Sequence, residues 1–100
     1  MMQVLFPNCA GMDVHKTFVM VCRMRITDTG QVEQETQRFG TMTRDLEALA
    51  AWLAAWGVTH IAMESTGVYW LPIYNVLEDH FQVWLVNASH VKQVPGARPM

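Results

Sequence analysis

Residues 58–72, VTHIAMESTGVYWLP, decide the architecture of this chain. Val58 to Glu64 is apolar enough to be a buried strand, and it stops on a carboxylate. Ser65-Thr66-Gly67 then supplies a tight turn. Beyond the turn, Trp70, Ile73, Tyr74 and Leu77 recur at helical spacing and mark the inward face of a helix. Pro72 has no amide hydrogen and fits only in a first turn, so the helix starts near Val68 to Trp70. A strand feeding a helix in this way is the beginning of a parallel crossover.

Upstream of this unit lies another helix. Thr43 is a good N-cap and Asp45 suits the first turn. Leu46, Leu49, Ala50, Leu53 and Trp56 form its apolar stripe, and Gly57 ends it. Before it come three strand signals. Cys9 to Val14 is short and apolar. From Phe18 to Ile26 the pattern alternates, with Phe18, Met20, Cys22, Met24 and Ile26 on one face and Arg23 and Arg25 on the other. Thr27-Asp28-Thr29-Gly30 provides turn chemistry, and the polar run Gln31 to Phe39 suits an exposed edge strand. After the second helix, Phe81 to Val86 is a last strand, and Asn87 to Met100 has loop character.

The order is therefore β-β-β-α-β-α-β. Three antiparallel strands are followed by strands reached through right-handed helical crossovers. That is an α/β chain with a ribonuclease-H-like mixed sheet, helices packed on the sheet, and the first strand beside the fourth. We expect one partial domain over residues 1–100, with an ordered core at about 9–87 and a loop or tail from 88 to 100.

Composition narrows the function. The chain has 100 residues, of which 51% are hydrophobic and 16% charged, so it can bury a core and is not a disordered segment. The net charge of -2 gives no basic face of the kind a free-standing nucleic-acid binder shows. Cys9 and Cys22 lack the spacing of a zinc site and read as free thiols. The start MMQVLFPN does not read as a signal peptide, and no apolar run approaches the length of a membrane span. The expectation is a cytoplasmic protein with no membrane partner.

Asp13 ends the run CAGMDV (9–14) as Glu64 ends VTHIAME (58–64). In open α/β sheets ligands collect outside the carboxyl ends of strands, and the topology puts these two strands side by side. Two carboxylates held close resist double ionisation unless a cation lies between them. Hard oxygen donors favour Mg²⁺ or Mn²⁺. The pair is thus the candidate metal and catalytic site, although each residue taken alone is more often a turn former or helix cap than a ligand. Lys16 either reaches a phosphate beside Asp13 or pairs with it. His15, His60, His80 and His90 show no ligand spacing and read as surface or edge histidines. Trp52, Trp56, Trp70 and Tyr74 read as packing residues. The Ser65–Gly67 turn either offers amides to an anion or simply caps the helix.

GMDVHK (11–16), MESTGVYWLPIYNVLE (63–78) and VNASHVKQVPG (86–96) together resemble the N-terminal domain of DEDD-type insertion-sequence transposases, relatives of the Piv-type DNA invertases. The resemblance runs from about Cys9 to Gly96. It implies a RuvC-like catalytic domain in which four acidic residues bind divalent metal for DNA cleavage and strand transfer. It also implies a separate C-terminal domain with a serine nucleophile and, in some members, a guide RNA. Asp13 matches the first acidic position and Glu64 the second. Lys16, Lys92 and Arg98 are the candidate nucleic-acid contacts. No acidic residue follows Asp79, so the third and fourth ligands are missing, and we expect an inactive fragment, remnant or truncated product.

Two other functional classes remain open. One is a non-enzymatic module that pairs with itself or with full-length transposase and inhibits it. The other is an actin-like or sugar-kinase ATPase fold, which would require glycine-rich phosphate hairpins; the turn after Thr27 has one glycine.

Overall fold

A computed structural model describes residues 6–65 and 67–86. Its elements are β1 (Cys9–Val14), β2 (Phe18–Ile26), β3 (Val32–Gly40), α1 (Thr43–Ala54), β4 (His60–Ser65), α2 (Trp70–Leu77) and β5 (Gln82–Val86). The five strands form one sheet in the order β3-β2-β1-β4-β5. The β1–β2 and β2–β3 pairs are antiparallel, and the β1–β4 and β4–β5 pairs are parallel. This is the expected α/β, ribonuclease-H-like order. The expected loop or tail from 88 onward, Lys92, Arg98 and His90 lie outside the described residues.

Strand alternation divides the sheet into two unlike faces. On the covered face, Ala10, Met12, Val14, Val19, Val21, Ile61 and Met63 are buried against Leu46, Leu49 and Leu53 of α1 and Ile73 and Leu77 of α2. Both helices lie on this side and touch each other. The opposite face carries Gly11, Asp13, Met20, Cys22, Ala62 and Glu64, and none of the described elements packs over it.

The division cuts against simple polarity on β2. The row Met20, Cys22, Met24 faces the open side, while Arg23, only 8% exposed, points into the covered side. Its guanidinium lies 4.1 Å from the ring centroids of both Trp52, on α1, and Trp56, in the turn just after it. It donates to the Trp52 carbonyl and, at 2.6 Å, to Glu35 on β3. A flat cation between two indole faces fits where an ammonium would not. Arg25 extends the stack over Trp56 and pairs with Glu33. These contacts fasten the edge strand to α1.

The helix starts differ slightly from expectation. Thr43 is the first residue of α1 rather than its cap; Met42 precedes it in extended conformation, and its amide donates to Asp45 Oδ2 at 3.2 Å. Gly40 permits this, because a Cβ there would lie 2.5 Å from the same oxygen. Trp70 opens α2, so Pro72 sits in the first turn as required. Gly57, at φ +68°, ends the segment after α1.

Candidate active site

Asp13 and Glu64 are register partners across the parallel β1–β4 pair, so their side chains leave the open face side by side. Each belongs to a short strand whose other face is sealed by Met12 and Val14 or by Met63 and Ser65. That alternation leaves the two carboxylates no inward option. Asp13 is 57% exposed at its side chain, and neither group has a lysine or arginine partner among the described residues.

Beside the pair runs an open trough of about 450 Å³. Gly11 and Ala62 form its floor because the central strands carry almost no side chain there, and Met20, Cys22 and Val86 form its sides. Nothing lies within 4 Å of where a Cβ on Gly11 would be. A backbone or ligand can therefore approach the sheet closely at this point.

His15 is more than an ordinary surface histidine. Its Nε2 lies 3.0 Å from Asp13 Oδ2, and its ring stacks on Phe18 with centroids 4.4 Å apart. The β1–β2 turn makes this possible, since the His15 amide donates to the Phe18 carbonyl and folds the chain back. Two positions along an extended strand is the separation that returns a side chain to the same face, and that was the available signal. Lys16 is exposed in the same turn, with no ion-pair partner among the described residues.

Other candidates fall away from the site. The Gly67 amide is already bonded to Ser65 Oγ at 3.4 Å and Ser65 is buried, while α2 has Tyr69 at its N-cap with no side-chain cap bond; Thr66 lies outside the described residues. His60 stacks on Phe6 at the opposite end of the sheet. Trp52, Trp56, Trp70 and Tyr74 pack against the core. Both cysteines are free thiols; Cys9 is buried, and burial pushes its pKa up.

Two neighbouring exposed carboxylates next to open space suit a hard divalent cation, because Mg²⁺ is commonly held by one or two carboxylates with water and substrate phosphate completing the shell. Among the described residues, no group of three or more His, Cys, Asp or Glu side chains could hold a metal.

The fold and the acidic pair define a RuvC-like α/β domain. Among solved structures, RuvC from Thermus thermophilus is similar with TM-score 0.58 at 12% identity, over 86% of this chain and 67% of that one. The Fowlpox virus resolvase, solved with Holliday junction DNA, is similar with TM-score 0.54 at 10% identity, over 80% of this chain. The match spans only 60% of the resolvase. An exopolyphosphatase from Cytophaga hutchinsonii is similar too, with TM-score 0.55 at 9% identity, over 86% of this chain and 36% of that one. At these identities the likeness shows the fold alone. Sequence decides further: residues 10–99 match the model of the transposase family of DEDD, IS110 type, and the chain belongs to that family. No curated protein matches it.

Proposed function

We propose that this chain is the N-terminal lobe of a DNA-cleaving transposase domain, in which Asp13 and Glu64 hold a divalent cation against a backbone phosphate. The observation that carries this is their side-by-side register on the open face, within a chain of the DEDD transposase family. DNA is the partner: the family is one of transposases, and a protein of the same fold was solved on junction DNA. When bound, Mg²⁺ or Mn²⁺ would polarise the phosphate and activate the attacking oxygen. Asp13 and Glu64 supply its anchoring oxygens, His15 steadies the Asp13 carboxylate, and the trough over Gly11 and Ala62 admits the strand. Lys16 stands where it reaches a phosphate. Two carboxylates hold a metal weakly, so cleavage requires acidic ligands beyond these two, and the chain alone is inactive.

Titration with Mn²⁺, followed by NMR, tests the shared site. Amides of Met12–Val14 and Met63–Ser65 should broaden first, and Asp13→Asn or Glu64→Gln should abolish the preference. Uniform broadening, or broadening centred elsewhere, removes the shared metal from the reading.

The apolar open face favours a second reading, in which the chain binds itself or full-length transposase without catalysis. Trp84 and Val86 of the β5 edge are exposed on this face. Size-exclusion mixing with an intact family member should then give a complex, and its absence would count against this reading. Use of a guide RNA belongs to the same class of untested partner and would show as RNA-dependent retention in that experiment.

A further inference from the structure

A single row of residues crosses the open face beside the trough. Strand register aligns Glu64 with Asp13, Asp13 with Met20, and Met20 with Arg38. Directly paired residues share a face, so Arg38 stands on the same side as the two carboxylates. Two strand spacings, about 10 Å, separate its backbone from that of Asp13.

Arg38 differs from its fellow arginines. Arg23, Arg25 and Arg44 each pair with a carboxylate, on Glu35, Glu33 and Asp45 respectively. Arg38 has no ion-pair partner among the described residues, and its guanidinium lies 3.9 Å over the centroid of the Phe18 ring. Phe18 stacks in turn on His15, which hydrogen-bonds Asp13. Carboxylate, imidazole, phenyl ring and guanidinium thus form a continuous chain along the rim. A ring face orients a guanidinium without consuming its in-plane N–H donors. A fork of donors in a fixed orientation is suited to a phosphodiester.

We propose that Arg38 binds a backbone phosphate of the DNA strand that lies across the Asp13–Glu64 pair, with Phe18 and His15 as the stack that positions it. The site would take a phosphate displaced along the strand from the one over the carboxylates, and it fixes the path of the strand toward the β3 edge. This assignment rests on the reading that the chain acts on DNA.

The test uses the full 100-residue chain in magnesium buffer and a labelled single-stranded oligodeoxynucleotide, with anisotropy measured over a series of salt concentrations. Arg38→Gln should weaken binding about tenfold at low salt and reduce the salt slope by about 0.7, the value of one lost phosphate contact on a single strand. Arg38→Lys should fall between, keeping the charge but losing the fork. Arg44→Gln removes the same charge from α1, on the other side of the sheet, and should leave affinity and slope unchanged. Circular dichroism melting confirms that each variant is folded. Equal weakening by the Arg38 and Arg44 variants, or an unchanged slope in Arg38→Gln, overturns the assignment while leaving DNA binding intact. If the unmodified chain binds no DNA at any salt, the DNA reading itself falls and the assignment with it.

Discussion

The two faces of the sheet are built from the same five strands and do opposite things. The covered face is closed by two helices and holds the stability of the fold. The open face is apolar in Met20, Cys22 and Ala62 yet carries two exposed carboxylates and a stacked arginine. The central strands carry apolar residues on both sides, so composition alone does not tell which side is core. What separates the faces is where the helices land, and the proposed site lies on the side they do not take.

The sharpest way to break this comparison is to truncate one large side chain on each face. Leu49→Ala removes a fully buried residue of α1 from the covered face and should destabilise by about 2–5 kcal/mol. That is a large share of the roughly 5–15 kcal/mol typical of a domain. Met20→Ala on the open face leaves a half-buried site that solvent already reaches, and should cost no more than about 1 kcal/mol. Urea midpoints of the two variants check both. A comparable loss from Met20→Ala would mean that the open face contributes to the fold as the covered one does.

Arg23 tests the same division from its least expected member. Arg23→Lys keeps a positive charge but loses the flat surface between Trp52 and Trp56 and the fork that donates to both the Trp52 carbonyl and Glu35. We expect a loss of about 1–2 kcal/mol, with Trp fluorescence shifting as the slot opens to water. Glu35 is half exposed, so the ion pair itself contributes little and Glu35→Gln should be nearly neutral. If the glutamine variant proves as costly as the lysine variant, the pair rather than the indole slot holds the edge strand.

Much of this was legible in the chain. The strand order follows from one turn, two helical stripes and a chirality rule, and Asp13 and Glu64 stand out as a pair, because that order sets two carboxylate-ended strands side by side. Arg23 was less legible, since its slot comes from Trp52 on a helix and Trp56 just beyond it, 29 positions or more away. Arg38 gave no local signal beyond its residue type, and His15 only its two-residue spacing from Asp13. Their relation to Asp13 is a matter of register and of a turn that brings Phe18 under both, and register emerges only when strands pair.

The far end of the open face offers the smallest and most specific test. By alternation Cys9 belongs to the side of Gly11 and Asp13, yet it is fully buried, at the end where Phe6, His60 and Trp84 cluster. Burial holds its thiol above the ordinary value of 9.0. The sign follows from proton counting. Above that value the unfolded chain releases the thiol proton while the folded chain retains it, so the folded state binds more protons and stability falls as pH rises. The contribution is fully present below the unfolded pKa and is lost through the folded one. Cys9→Ala removes the titrating group, so its stability should decline less steeply than that of the unmodified chain on raising pH from about 8 to about 10. Groups common to both proteins cancel in the difference. Parallel alkaline limbs would show that water reaches Cys9 as it reaches Asp13, and that the aromatic end seals nothing.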